Sequence, residues 1–309
     1  MDTPLITVSL GVYNRENTVD RAIKSVLAQT YPHFELVIID NGSTDRSGQI
    51  AEEYAARDAR VRVVHLYPNQ GITMRFNMGI ATAKGEFLTY LDDDDYLEPD
   101  FIDFMYNLIR ENDADISICA CPDRGGTGEK LVMTGDEAVI EMMKRKRFNT
   151  RPSAKLYRRS LMENVWYNSK AEVAGLCDAA TTYKLLANAG RVAFHGIVKY
   201  CYMRNNQNVS IWVKDHSKLT PEILDTEAVI HRERTEWLSK RFPERAEQFL
   251  YYELSFDISM VEKINRYKLT DCQPQLNALV DKLRGFQDIF MRSKWLKDFE
   301  KEWMERYVL

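Results

Sequence analysis

The sequence predicts an α/β protein: a mostly parallel sheet flanked by helices, followed by an all-helical C-terminal extension. Three observations predict it. Strand-like apolar runs alternate with amphipathic helical runs through the first hundred residues, the order of a parallel sheet with right-handed crossovers. Each apolar run ends in turn formers or polar side chains, and in such a sheet those ends share one edge. From about Pro221 the apolar spacing becomes helical and stays so to the end of the chain.

The elements follow in order. Leu5 to Val12 reads as a strand ending at Tyr13-Asn14-Arg15. A helix carrying Val19, Ala22, Ile23, Val26 and Leu27 follows, with Asn17 or Thr18 as its cap. Phe34 to Ile39 is a second strand, ending in the turn-rich stretch Asp40-Asn41-Gly42-Ser43-Thr44-Asp45. Ser43 or Thr44 is placed to cap the next helix, which bears Ile50, Tyr54 and Ala55. Val61 to Leu66 is a third strand, ending at Pro68-Asn69-Gln70-Gly71. A helix over 72–83 follows, with Gly85 as its terminator. Phe87 to Leu91 is a fourth strand, and it runs into Asp92-Asp93-Asp94-Asp95.

That acidic run organises the chain. Four carboxylates at one strand end repel each other, and burial makes the repulsion worse. A divalent cation, Mn2+ or Mg2+, is their natural counter-charge, because carboxylates are hard oxygen ligands. Continued extended geometry puts Asp92 and Asp94 on one face and Asp93 on the other. The plainer reading of an isolated acidic run is a solvated loop.

Composition limits the function. The chain has 309 residues, 45% hydrophobic and 28% charged, with net charge -4 and pI about 5.9. That balance argues against a nucleic-acid binder, which shows a basic face. No segment approaches the ~20 apolar residues that span a bilayer. Met1-Asp2-Thr3-Pro4 has no basic start and no signal-peptide core, so the expected location is cytoplasmic. The cysteines, Cys119, Cys121, Cys177, Cys201 and Cys272, are odd in number and scattered, which points to buried reduced thiols.

The strand ends bring Tyr13, Asp40, Asn69 and Asp92–Asp95 together. No Gly-x-Gly-x-x-Gly follows the first strand and no P-loop is present, which disfavours dinucleotides and P-loop chemistry. Tyr13 is suited to stack on a base. Asp40 is suited to accept the N3–H of uracil or thymine, or the N1–H of guanine, and to repel the ring acceptors of cytosine and adenine. A metal on the aspartates would bridge a diphosphate, and Arg75 would neutralise the remaining phosphate charge. Singly, each has a plainer alternative: Tyr13 as a core-edge aromatic, Asp40 as a turn or cap residue, Arg75 as a solvated helix charge.

At these residues the chain resembles family 2 glycosyltransferases of the GT-A (Rossmann-like) fold. The resemblance rests on Ile6 to Asn14, Ser25 to Tyr31, Val37 to Asp45, Asn69-Gln70-Gly71, Arg75 to Gly79, and Gly85 through Asp95 to Pro99. It covers about the first 110 residues, in order. Gly11 stands where proline is common, and Asn41 replaces a frequent second aspartate. The resemblance implies base and nucleoside contacts from Val12, Tyr13, Asn14, Asp40 and Asn69. It implies ribose, metal or phosphate contacts from Arg75, Asp92 and Asp93, with Asp94 as the metal aspartate of the DxD motif and Asp92 beside it. Beyond this stretch, Asp178 matches the aspartate of the family's Glu-Asp pair, Cys177 replacing the glutamate. That makes Asp178 the candidate base, with Glu172 in reserve; its plainer role is a helix N-cap. Arg204 is the candidate phosphate contact of a Tyr-Arg segment.

Other elements carry less chemistry. Phe101 to Arg110 reads as a helix, Ile116 to Ala120 and Leu131 to Met133 as strands, Gly135 to Lys146 as a helix, and Val192 to Tyr202 as a strand in which His195 is structural. The basic run Lys144–Arg147 reads as a solvated helix end, with an anionic acceptor or lipid headgroup as alternative. The tail carries Trp295, Leu296, Phe299, Trp303, Met304 and Tyr307 with lysines between. This suits a helical cap, a homodimer contact or docking at the inner face of the cell membrane. No Gln-x-x-Arg-Trp is present, which argues for transfer of a single sugar.

The expected division is a GT-A domain over 1–212, with a nucleotide-sugar half (1–98) and an acceptor half (99–212), and a helical extension over 213–309. The expected activity is inverting, metal-dependent transfer from a nucleotide sugar, a UDP-sugar foremost, to a glycan or lipid-linked acceptor in bacterial surface polysaccharide synthesis. The competing readings are an Asp-x-Asp phosphatase and a catalytically degenerate nucleotide-sugar binder.

Overall fold

The alternating runs become β1 (Ile6–Val12), α1 (Val19–Leu27), β2 (Phe34–Asp40), α2 (Ser47–Ala55), β3 (Val61–His65), α3 (Gly71–Thr82) and β4 (Phe87–Asp92). After a short β5 (Tyr96–Leu97) come α4 (Phe101–Asn112), β6 (Ile116–Ala120), β7 (Lys130–Met133), α5 (Gly135–Lys144), β8 (Lys155–Arg158), α6 (Thr182–Asn188), β9 (Val192–Val198) and β10 (Tyr200–Cys201). These are seen in a computed structural model that describes residues 3–122, 126–167, 176–203 and 215–309. The chain divides into two compact units, Met1–Glu172 with Cys177–Arg204, and Asn205–Leu309 with Val173–Leu176.

In the first unit an eight-stranded sheet runs in the order β3-β2-β1-β4-β8-β6-β9-β7, and β10 pairs with β5 in a separate ribbon. β3, β2, β1 and β4 are mutually parallel. The sheet is mixed beyond them: β8 runs antiparallel to both β4 and β6, and β7 runs antiparallel to β9. β2 is buried at every position, as a strand covered on both faces must be. Val8, Leu10, Leu36, Ile38 and Phe101 are fully buried in one core cluster. Each such side chain contributes about 1.5–3 kcal/mol by leaving water.

Four local expectations are corrected. α2 starts at Ser47, beyond Ser43 and Thr44, and its first turn is held by Asp45, whose Oδ1 accepts the Ser47 N–H at 2.9 Å. Ser43 Oγ instead accepts the Asn14 N–H at 3.1 Å. Thr18 precedes α1 without making a side-chain cap bond. Gly85 is not a left-handed terminator of α3. A Cβ there would lie 2.7 Å from the Leu5 carbonyl and the Thr7 nitrogen, so the glycine permits a close backbone approach. Nor does extended geometry continue through the acidic run. β4 ends at Asp92, and the Asp95 N–H closes a turn onto the Asp92 carbonyl at 3.2 Å.

The second unit holds α7 (Pro221–Arg241), α8 (Ala246–Tyr267), α9 (Gln273–Gly285), α10 (Gln287–Met291) and α11 (Asp298–Tyr307). Thr220 caps α7 by accepting the Ile223 N–H at 3.3 Å, with proline at the first turn where no N–H is needed. Leu238, Phe249, Leu254, Ile258, Val261, Leu283 and Met304 are fully buried. Val229 is 41% exposed, and Phe299 of the apolar tail is 45% exposed. Glu300 of α11 is buried and satisfied by Tyr251 Oη (2.9 Å) and Ser255 Oγ (2.6 Å) of α8. No helix among the described residues is long and apolar enough to cross a membrane.

Candidate active site

The C-terminal ends of β1, β2, β3 and β4 converge as the sheet order requires. The loop after β1 is tied to two others. The Tyr13 N–H donates to Asp93 Oδ2 at 3.0 Å, and Asn14 Oδ1 accepts the Thr44 N–H at 2.8 Å. Asn14 takes up left-handed backbone (φ 51), which asparagine tolerates better than most residues. The Tyr13 ring is left 38% exposed, available for stacking. Val12, by contrast, turns its side chain into the core, and its carbonyl accepts the Asn41 N–H. It offers no side chain to a ligand.

Asn41 has a defined role. Its Nδ2 donates to the Gly71 carbonyl (2.8 Å) and to Asn69 Oδ1 (3.1 Å), and its Oδ1 accepts the Gln70 N–H (3.1 Å). It therefore holds the 69–71 loop that leads into α3, a task an aspartate, lacking donors, would not perform. Asn69 Oδ1 also accepts the Gly71 N–H at 2.8 Å, while the residue itself is exposed. Asp40 is 5% exposed, with Oδ1 accepting the Ser43 N–H at 3.1 Å and Oδ2 2.8 Å from His65 Nδ1.

The four aspartates divide into two pairs. Asp93 is buried and clamped by the Tyr13 N–H, Arg15 Nε (3.4 Å) and Arg75 Nη1 (3.5 Å). Burial raises its carboxyl to about 6, against the opposing pull of Arg75. Asp95 is fully buried and accepts from Tyr200 Oη (2.6 Å) and the Met203 N–H (2.7 Å). Burial, with the neighbouring Asp92 charge, raises it to about 8. Asp92 and Asp94 are only half-buried. Burial also raises the Asp92 carboxyl, with the Arg75 and Arg151 cations opposing. So the two carboxylates expected on one face are the two left partly open, although a turn rather than a strand puts them there.

Arg75 crosses the end of β1, donating to the Gly11 carbonyl at 3.0 Å. A Cβ at position 11 would come within 3.0 Å of Arg75 Cδ and 3.1 Å of its Cβ. Gly11 thus makes room for the arginine.

β8 brings a further segment to the same edge. Because β8 runs antiparallel to β4, the residues before it arrive beside the end of β4. Ala154, in left-handed backbone (φ 60), turns this segment out of the strand. Arg151 stacks on the Tyr202 ring at 4.1 Å and faces Asp92. Lys155 is buried, its ammonium donating to the Arg151 carbonyl, and burial lowers it to about 8. Thr150 Oγ1 donates to Asp178 Oδ2 at 3.2 Å.

Asp178 does not cap α6. The N-cap is Thr181, and it is the Asp178 backbone carbonyl that accepts the Thr181 and Thr182 N–H groups. Its carboxylate accepts from Thr150 and from the Ala179 N–H. Tyr157 feels the Asp178 charge and packs edge-on to Tyr90 at 6.4 Å, two residues before Asp92. Arg204 and Glu172 lie outside the described residues.

Arg15, Arg151, Lys155 and His65 escaped the sequence reading. Arg15 sat in a quoted motif, and His65 lay within a predicted strand, one residue before its end. Arg151 and Lys155 gave no signal, because Lys-Leu-Tyr-Arg is too short and too charged to read as a central strand. Elsewhere, the basic run is engaged within the fold: Arg147 pairs with Glu141 (2.7 Å) and Glu129 (2.6 Å), and Lys144 with Glu141 (3.0 Å). His195 stacks on Phe104 at 5.3 Å. The five cysteines are buried, and none is in a disulfide.

The mostly parallel sheet, its strand ends meeting at a divided aspartate cluster beside fixed guanidinium groups, has the GT-A fold. The sequence model described as Glycosyl transferase family 2 matches residues 7–180. The chain belongs to that family. It is 30% identical over 221 residues to the glycosyltransferase GlyG of Streptococcus pneumoniae, covering 66% of this chain and 72% of GlyG. It spans half or less of the length of several other curated glycosyltransferases that it matches. Among solved structures, residues 1–349 of TarS from S. aureus, in complex with UDP-GlcNAc, superpose with TM-score 0.68 at 18% identity, covering 98% of this chain and 91% of that one. A mannosyltransferase from Pyrobaculum calidifontis, in complex with GDP-Man and Mn2+, superposes with TM-score 0.58 at 15% identity, covering 99% and 85%.

Proposed function

We propose that this glycosyltransferase moves one sugar from a UDP-sugar to a hydroxyl of a glycan or lipid-linked acceptor, with inversion and with a divalent cation, in bacterial surface polysaccharide synthesis. The observation that carries the reading is the division of the aspartates. Asp93 and Asp95 are consumed by the fold, while Asp92, which feels the Arg75 charge, and Asp94 stay partly open. That is the arrangement a cation and a diphosphate need.

The residues fit Mn2+ or Mg2+ in a particular way. No group of three acidic, histidine or cysteine side chains among the described residues is disposed to hold a metal. Asp94 and Asp92 would supply carboxylate oxygens, and the diphosphate and water the remainder, the usual mode for a hard cation on a phosphate substrate. When bound, the cation acts as a Lewis acid that stabilises the departing diphosphate.

The chain's own groups do the rest. Tyr13 stacks on the base, and Asp40 accepts the base ring N–H. Arg75, held by Asp93 and the Gly11 carbonyl, balances phosphate charge. Asp178 takes the proton of the acceptor hydroxyl as its oxygen attacks the anomeric carbon. A single in-line displacement breaks the bond from anomeric carbon to phosphate oxygen on the opposite face and inverts the centre. A carboxylate that does not cap α6 and is bound by the Thr150 hydroxyl and the Ala179 N–H supports Asp178 in that role. TarS, with its UDP-GlcNAc, supports a uridine donor.

The test is a thermal-shift panel of UDP, GDP, dTDP and CDP with and without Mn2+. Binding to the folded state raises the melting temperature by mass action. A shift with UDP that requires Mn2+ is expected. A metal-independent shift, or a shift with CDP alone, overturns the metal or base assignment respectively.

A further inference from the structure

His65 has no role in the transfer proposed above, yet it touches the residue assigned to the base. It is the last residue of β3, in register with Asp40 of β2. Its Nδ1 lies 2.8 Å from Asp40 Oδ2, and its Nε2 lies 2.9 Å from Glu52 Oε1 of α2. An ionised carboxylate only accepts hydrogen bonds. Neutral imidazole carries one N–H, so it satisfies one of these contacts. Imidazolium carries two and satisfies both. The geometry is therefore that of a charged histidine held between two carboxylates.

The surroundings are built for this pair. A Cβ at Gly48 would lie 2.7 Å from Asp40 Oδ2 and 3.5 Å from His65 Cε1, so the glycine leaves the space in which the two side chains meet. The Leu66 N–H donates to the Asp40 carbonyl at 2.8 Å, fixing the backbones together. The charged groups facing His65 are Asp40 from β2 and Glu52 from α2. Glu52 first, and Asp40 after it, raise the imidazole above its usual value, against the opposing effect of burial.

We propose that His65, as an imidazolium, is the positioning residue that aims Asp40 at the ring N–H of the nucleotide base, and so sets the discrimination between bases that carry that N–H and bases that lack it. The inference rests on Asp40 reading the base. With Oδ1 on the Ser43 N–H and Oδ2 on His65, both oxygens of the carboxylate are held, which restricts its rotation. Loss of one His65 proton leaves a single N–H for Asp40 and Glu52 to share, so Asp40 is then held for only part of the time. Discrimination is then full while His65 is charged. It declines as pH rises through the elevated histidine value, above the ordinary 6.5, where one N–H serves two carboxylates.

The experiment measures the affinity ratios UDP:CDP and GDP:ADP between about pH 6 and 8.5, at fixed Mn2+. Within each pair the ionisation of the diphosphate is shared and cancels. The wild-type ratio for the recognised pair should fall as pH rises. H65A should lower that ratio at pH 6.5 by about three- to tenfold, the worth of one hydrogen bond, and abolish its pH dependence. H65N, which keeps a donor at the δ position, should restore much of the ratio but remain flat with pH. E52Q, which leaves Asp40 untouched, should shift the fall to lower pH. The proposal is overturned if D40N loses the ratio while H65A and H65N keep the wild-type ratio and pH profile. If D40N itself keeps the ratio, the reading of Asp40 fails, and the His65 proposal with it.

Discussion

Residue types that carry charge or a ring were legible, but their division of labour was not. Asp92 to Asp95 are chemically identical, and a backbone turn decides which of them face inward. Asp93 therefore serves Arg15, Arg75 and the Tyr13 N–H, a role no spacing rule announces. Gly11 is a similar case, unremarkable until Arg75 is seen lying across it. G11A requires Arg75 to give way by a few tenths of an ångström and strains its 3.0 Å bond to the Gly11 carbonyl, so UDP affinity should fall, by up to about tenfold, with the fold intact, as isothermal calorimetry would show. Lys155 gives a second prediction. Its folded value, about 8, lies below the ordinary lysine value of 10.5, so between those limits the unfolded chain binds the extra proton. Stability should rise with pH over that window, by about 1–3 kcal/mol. K155M should remove the rise, measured as the difference between urea-unfolding curves at pH 8 and 10.

At the scale of elements, periodicity located β1 to β4 and the helices between them, because each buries a continuous apolar run or stripe. It missed β8, a central strand whose four residues include a buried lysine and an arginine, so that tertiary context rather than pattern makes it a strand. It also misjudged helix starts by up to three residues, since Asp45, Ser43 and Thr44 offer competing oxygens and only the loop path chooses between them. Two glycines test how well the elements are understood. At Gly85 a Cβ would lie 2.7 Å from backbone atoms of β1 and its approach, and G85A should cost about 2–3 kcal/mol. At Gly285, in the last turn of α9, nothing lies within 4 Å, and G285A should stabilise by about 0.5–1 kcal/mol through helix propensity alone. Denaturant midpoints of the two variants, moving in opposite directions, check both.

For the whole molecule, the order of runs implied a sheet whose strand ends meet at one edge, and that topology made distant residues neighbours. The antiparallel insertion of β8 was hidden, yet it delivers Thr150 and Arg151 to the site and links Asp178 to the region of Asp92. The account's central claim is that one carboxylate, Asp178, takes the acceptor proton while a separate set of residues holds the nucleotide. Release of UDP from a panel of UDP-sugars, with water as the acceptor of last resort, tests it when UDP affinity is measured on the same samples of wild type and D178N. The account predicts equal UDP affinity and a release rate lowered about 10²- to 10⁴-fold in D178N. Release from D178N at the wild-type rate would contradict it.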